Sequence, residues 1–536
     1  MYADVVMYNG SIVSMDKNKR EYEALAAKNG RIIGLGTKKD MEKWLGDQTV
    51  SIDLEGKTVL PGFIDAHQHM VNFGFYLSQV NCNVDSIKDL VNAVKEKAAT
   101  LNKDDWVIGI GFNEEKLQEK RIPTAADFAE ISNPVYILRN CLHTAVVNQT
   151  TLQLAGINEN TSDVAGGEIV RDMNGRPTGI LKEKAADIVK RILPPFTLDE
   201  IKDAITFADR EYTSLGITGV HEAGMGFFTN SMNEFRAFQE MSIDRSLNVR
   251  VYGMILDSFF EAANELMLTT GFGNDKLKIG SIKMFSDGTL NGRTAAVSEE
   301  YINPAGERGA MVISTEELEK KVLDYHREGF QVAIHAIGDR AILQVIAAYE
   351  KALNAFPRAN HRHRIEHTSV TTPEIIERLA ELKLIPVPQP SFLNAAGDVY
   401  NKVLQPKVTE RLKPLKTFFE RGIKAAGSSD CPVVTSSPLY GMYCAMKRET
   451  LKGTVLSPKE RLSLEEALQM YTVNAAYAAF AEHEQGTLEI GKFADAVVLP
   501  KGFMSFSAEE VRDTAVEMTI IGGEIIYKKE RAKILH

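Results

Sequence analysis

Hydrophobic and polar positions alternate at the start of the chain: Asp4-Val-Val-Met-Tyr, a turn at Asn9-Gly10, Ser11-Ile-Val-Ser-Met, and later Gly30-Arg-Ile-Ile-Gly-Leu-Gly. An Asn-Gly pair between short apolar runs is a hairpin signal, so this stretch predicts short strands joined by tight turns. The same style returns at the other end, in Ala494-Asp-Ala-Val-Val-Leu and Val516-Glu-Met-Thr-Ile-Ile, followed by Gly522-Gly523 and Glu524-Ile-Ile-Tyr. Two β-rich ends around a long middle predict that both ends meet in one small sheet domain.

The middle reads differently. Short apolar runs are separated by helical periodicity, which predicts βα repetition and a parallel sheet or barrel. Eight runs qualify: Phe63-Ile64-Asp65, Gly219-Val220-His221, Val249-Arg250-Val251-Tyr252, Ser281-Ile282-Lys283-Met284, Val332-Ala333-Ile334-His335, Arg364-Ile365-Glu366-His367, Leu384-Ile385-Pro386-Val387 and Lys424-Ala425-Ala426-Gly427. That is the number a closed (β/α)8 barrel needs. The first two runs are too far apart for one connecting helix, so residues from about 72 to 205 are expected to form an inserted subdomain over the barrel mouth. Trp106-Val-Ile-Gly-Ile-Gly and Val135-Tyr-Ile-Leu-Arg are assigned to that insertion. The expected organisation is α/β: a TIM barrel over 59–485 with an inserted α/β subdomain at about 72–205, and a β-sandwich made from 1–58 and 486–536.

Composition narrows the class. With 536 residues, 44% of them hydrophobic and 25% charged, the chain has ample material for a core and exceeds what a single core usually supports. A net charge of −10 with no basic block disfavours nucleic acid and anionic membrane surfaces as partners. The start lacks a signal-peptide pattern, and no apolar run approaches ~20 residues, so a cytoplasmic, non-membrane protein is expected. Cys82, Cys141, Cys431 and Cys444 form no CxxC pair and are read as reduced, mostly buried thiols. The expected partner is a small-molecule substrate, and a homodimer is one admissible assembly.

Leu60-Pro-Gly-Phe-Ile-Asp-Ala-His67-Gln-His69 carries an apolar strand into two histidines at alternate positions, which project to the same side of an extended chain. His335 and His367 end two further apolar runs, and Asp430 follows another. In a parallel barrel all such ends open on one face, and four imidazoles with a carboxylate suit zinc, and also manganese, iron or nickel. Lys283 lies inside a barrel strand where a lone ammonium is costly. A neutral, desolvated lysine can capture carbon dioxide, and the resulting carbamate can bridge two metal ions; the alternative is a lysine that snorkels to the rim or pairs with Asp287. His221, at another strand end, is a weaker candidate for the substrate side. His361 and His363 precede a strand in the polar run Asn360-His-Arg-His-Arg, which places them at the opposite rim in a solvated loop; His326, His483 and His536 suggest no site.

LPGFIDAHQH at 60–69, HAIGDRA at 335–341, RIEH at 364–367, SSDCP at 428–432 and GKFADAVVL at 491–499, in this order, resemble the YtcJ-like branch of the amidohydrolases, which includes N-substituted formamide deformylases. The resemblance spans nearly the whole chain, because Gly166-Gly-Glu-Ile-Val-Arg-Asp and Gly175-Arg-Pro-Thr-Gly match within the insertion. It implies that His67, His69 and Asp430 bind the more buried of two divalent ions, zinc being favoured, and that His335 and His367 bind the second, with carboxylated Lys283 between them. It also implies a terminal β-sandwich and a substrate-side loop at Ser286-Asp-Gly-Thr-Leu-Asn-Gly-Arg293-Thr. At Arg139-Asn-Cys-Leu-His143 the chain departs from the Asp-Gly-His run of relatives, where a substrate contact by His143 would otherwise be implied. The expected activity is hydrolysis of an amide or formamide C–N bond, with Asp430 as general acid and base. Deamination or cyclic-amide opening is the alternative within the superfamily, and a non-catalytic regulatory or binding protein the alternative outside it.

Overall fold

The computed structural model describes residues 2–139, 143–302 and 306–530; Cys141 and His536 lie outside the described residues. Residues up to Val71 and from Ala208 onward form one compact unit, and Asn72–Phe207 form another.

The first unit is organised around a parallel barrel. Seven strands hydrogen-bond side by side in chain order: Phe63–Gln68, Ile217–Met225, Arg250–Leu256, Leu277–Phe285, Val332–Ala336, Arg364–His367 and Ile385–Val387. Every residue of Ile217–Met225 is buried, as expected for a strand covered on both faces. The eighth run, Lys424–Gly427, is too irregular to be a strand, yet it bridges the gap: Ala426 N–H donates to the Pro386 carbonyl and Ala66 N–H to that of Gly427. The barrel is therefore mostly closed.

Helices cover its outside, each started by local chemistry. Ser314 caps Thr315–Arg327 through the Glu317 N–H, and this helix buries Leu318, Val322 and Tyr325 at helical spacing. Thr372 caps Pro373–Glu381, where proline sits in the first turn.

Strand pairing sets which residues share a layer inside the barrel. Lys283 pairs with Ala333, and Ala333 with Arg364; two positions on, Phe285 pairs with His335, and His335 with Glu366. Alternation turns both rows inward, so the Phe285 row lies nearer the strands' C-terminal ends than the Lys283 row.

Two sheets from the chain ends pack face to face in the same unit. One joins Arg31–Gly36, Ala24–Lys28, Val5–Tyr8 and Val50–Asp53; the other pairs C-terminal Ala496–Leu499 with N-terminal Thr58–Pro61 and includes Met518–Ile521. Val5, Met7, Leu25 and Ile32 of the first sheet and Ile12, Val59, Val498 and Ile520 of the second share one buried cluster, which makes the pair a sandwich.

The unit Asn72–Phe207 holds its own mixed sheet of six strands. Val107–Phe112 and Val135–Arg139 lie there, paired in parallel, and not in the barrel. Its two faces are covered by separate apolar clusters, one around Leu90, Val107 and Phe128 and the other around Tyr136, Leu152 and Leu181.

Candidate metal centre

Strand direction brings His67, His69, His335, His367 and Asp430 to the C-terminal end of the barrel. The sixth strand, Arg364–His367, needs a further device. Alternation turns Arg364 and Glu366 inward and would turn His367 away. Left-handed backbone at His367 (φ 69°) and Thr368 (φ 39°) breaks that alternation, and the neighbours Glu366 and His367 both reach the interior. Asp430 is also left-handed (φ 61°), with its N–H donating to the His67 carbonyl at 2.8 Å. Such conformations cost a non-glycine residue about 1–3 kcal/mol each, so surrounding contacts must enforce them.

His67, His367 and Asp430 each present a ligand atom, all within 4.8 Å of one another. The rest of each ring is committed elsewhere. His67 donates its Nδ1–H to Glu366 Oε2 at 2.5 Å, and His367 donates its Nδ1–H to Gln389 Oε1 at 2.9 Å. Both rings therefore offer the Nε2 lone pair to the cluster. His67 Nε2 stands 3.4 Å and His69 Nε2 3.3 Å from Asp430 Oδ1. Two ligands ~2.0 Å from a tetrahedral ion are ~3.3 Å apart, so the spacing fits a divalent cation. A lone pair facing a carboxylate oxygen at that distance is repulsive unless a cation stands between them, and the donor set fits the metal that the sequence implies.

The supporting network is fully buried. Arg364 grips Glu366 with two hydrogen bonds, 2.8 and 3.0 Å, and donates to the Ala66 carbonyl and to His221 Nδ1. Burial alone would raise the Glu366 carboxyl, but Arg364 and the bond to His67 hold it well below the usual range. For Asp430 burial likewise pushes upward, and the contacts with His67 and His69 outweigh it. Lys413 Nζ donates to the His367 carbonyl and to Ser369 Oγ, fixing the turn after the sixth strand, and burial lowers its pKa to about 7.

The carbamate bridge expected at Lys283 is overturned. The donors that converge are His67, His367 and Asp430, and Lys283 is not among them. Its side chain does enter the barrel, where burial lowers its pKa to about 8. It belongs, however, to the row of Ala333 and Arg364, one layer below the row of His335, and its Nζ lies 4.9 Å from the Phe285 ring centroid. The buried carboxylate beside the cluster is Glu366, which bonds His67 and shows in the sequence only as the residue before His367.

The remaining candidates take different places. His335 is near His367, with ring centroids 4.5 Å apart, but its Nε2 donates to the Gly288 carbonyl at 3.0 Å. Asp287 pins the loops around it by accepting from the N–H groups of Ala296, Ile337 and Gly338. His221 is buried beneath the cluster against Arg364 and Tyr252. Arg293 is half-buried in the loop after the fourth strand, with left-handed backbone. His143 belongs to the Asn72–Phe207 unit, where it is exposed and faces Glu183 at 3.1 Å. His361 and His363 are buried rather than solvated, and His326 is buried with them. Gln389 and Lys413 carried no signal in the sequence, since neither stands in a recognisable ligand spacing.

Residues 51–527 match the amidohydrolase family. Over 98% of its length the chain is 31% identical to the putative amidohydrolase YtcJ of Bacillus subtilis, of which 99% is covered. It is 27% identical to an N-substituted formamide deformylase of Arthrobacter pascens, over 98% of both chains. Among solved structures, an uncharacterized metal-dependent hydrolase from Pyrococcus furiosus superposes with a TM-score of 0.79 at 28% identity, covering 94% of this chain and 100% of that one.

Proposed function

The chain belongs to the amidohydrolase family and is a metal-dependent hydrolase of carbon–nitrogen bonds, and from that premise we propose that it cleaves an amide or formamide of a small molecule, using zinc held by His67, His367 and Asp430. The observation that carries this reading is the confrontation of His67 Nε2 with Asp430 Oδ1 at 3.4 Å while the other nitrogen of His67 is bonded to Glu366. Two neutral imidazoles and one carboxylate form a borderline-soft set suited to zinc. The amide or formamide assignment draws on the similarity to the Arthrobacter pascens deformylase over nearly the full length of both chains.

What a divalent ion supplies in such a site is a more acidic water and a polarised carbonyl. The protein does the rest. Glu366 and Gln389 fix the rings of His67 and His367 so that their Nε2 atoms stay aimed at one point. Asp430, the carboxylate of the three-donor group, takes the proton of the attacking water and returns it to the departing nitrogen. His69, whose Nε2 is 3.3 Å from the same carboxylate oxygen, is placed to add a further imidazole to this donor set.

Protein purified without chelators should contain zinc by elemental analysis and should release amine or formate from members of a library of small amides and formamides, with activity lost to chelator and restored by zinc. Protein that neither retains nor rebinds a transition metal would contradict the reading.

A further inference from the structure

Six aromatic rings close a loop at the C-terminal end of the barrel. Going round, the centroid separations are 5.5 Å for His67–His69, 5.5 Å for His69–Phe227, 5.4 Å for Phe227–Phe285, 5.5 Å for Phe285–His335, 4.5 Å for His335–His367 and 4.9 Å for His367–His67. The candidate metal ligands occupy one arc of this loop. The opposite arc is purely apolar and consists of Phe227 and Phe285.

The apolar arc is built in. Phe285 is held in register beside His335 by strand pairing. Phe227 follows the second barrel strand, and the backbone before it leaves little room: Gly224 has φ +139°, and a Cβ there would come within 3.2 Å of Phe227 Cβ and 3.8 Å of Lys283 Cγ. Phe227 nevertheless remains 47% exposed, although its ring stacks on Phe285 at 28° and on His69 at 30°. A half-exposed phenylalanine stacked beside a ligand-bearing cluster presents an aromatic surface to whatever occupies the site. The Lys283 ammonium lies 4.9 Å from the Phe285 centroid, so a cationic group brought against this arc would meet like charge.

We propose that Phe227 and Phe285 form a specificity subsite for a flat, uncharged aromatic group bonded close to the scissile C–N unit. The subsite rests on the zinc amidohydrolase reading above and narrows it: the favoured substrates are neutral amides or formamides carrying an aryl substituent. Aliphatic chains and ammonium-bearing amides are disfavoured. Stacking selects planarity because offset-stacked and edge-on ring contacts need a π-face that a saturated ring of similar size lacks.

The test uses the full chain loaded with zinc and three metal-directed probes, acetohydroxamate, cyclohexanecarbohydroxamate and benzohydroxamate, titrated by calorimetry. Benzohydroxamate should bind about 10-fold more tightly than its saturated counterpart, and Phe227→Leu should reduce that ratio to about 2-fold or less while Phe227→Trp preserves it. A ratio near one in the wild-type protein, or a ratio untouched by Phe227→Leu, overturns the subsite and leaves the hydrolase reading standing. Failure of all three probes to bind zinc-loaded protein overturns the zinc site and the subsite with it.

Discussion

Two clusters of histidines stand at opposite ends of the same barrel. Each contains a His-x-His pair, yet they do different things. At the C-terminal end, His67 and His367 each use Nδ1–H on a fixed acceptor and leave Nε2 directed at the other ring and at Asp430. At the N-terminal end no ring nitrogen is left over. His363 accepts the Val332 N–H at Nδ1 and donates from Nε2 to His326 Nδ1, while His326 donates to the Phe356 carbonyl. His361 accepts the His363 N–H and donates to the Leu382 carbonyl. Arg358 adds a positive charge 2.7 Å from His326 Nδ1. A histidine cluster becomes a ligand set through the nitrogens its surroundings leave uncommitted and through the sign of the nearest charge, not through spacing alone.

The comparison is broken most severely at Asp430. Asp430→Asn removes the only carboxylate of the three-donor group, and kcat should fall by about 10²–10⁴-fold, with further loss from weakened zinc binding, as measured by steady-state kinetics at saturating zinc. Glu366→Gln comes next. It keeps the shape but withdraws the anion that fixes the His67 ring, and zinc affinity by chelator competition should drop about 10–100-fold. The same change leaves Arg364 buried without its anion, so a stability loss of about 3–5 kcal/mol should accompany it in denaturant titration.

At the other end the effect on zinc should vanish and only the stability loss remain. His361→Ala with His363→Ala should leave zinc stoichiometry unchanged while costing about 1–3 kcal/mol for each buried group left unpaired, read from denaturant midpoints. Loss of zinc in that double variant would mean that the two ends are not independent. The smallest effect concerns pH. Burial lowers the pKa of His361 from 6.5 to about 4 and lowers that of His363 as well. Groups depressed in the folded state contribute stability that is complete above their unfolded pKa and declines as pH falls, here from about 6.5 towards 4. The stability difference between pH 7 and pH 5 should therefore be smaller in His361→Gln than in the wild-type protein by at most ~1.4 kcal/mol per pH unit.

The sequence showed the histidines of the C-terminal cluster because each ends an apolar run, and a parallel barrel collects such ends on one face. It hid Glu366, since strand alternation places Glu366 and His367 on opposite faces, and nothing in RIEH announces a left-handed histidine. It misplaced Lys283 because the strand's interior face was legible and its layer was not; the layer follows from pairing with Ala333 and Arg364, which only the fold supplies. The polar run around His361 and His363 looked solvated. It is buried: His363 stacks on Tyr349 and lies against His326 and His361, and Arg362 between the pair is itself buried, paired with Glu482 at 2.6 Å and over the Tyr477 ring at 3.9 Å. The eight barrel runs were readable from periodicity, but the irregular backbone of the last, Lys424–Gly427, was not.

The central claim is that zinc binds where imidazole nitrogens and a carboxylate are left facing one another, and the most direct measurement is an anomalous difference map from crystals of the full chain soaked in zinc. The strongest peak should lie among His67 Nε2, His367 Nε2 and Asp430, with nothing beside His326, His361 and His363. A peak at the N-terminal end, or none within reach of Asp430, would contradict the account.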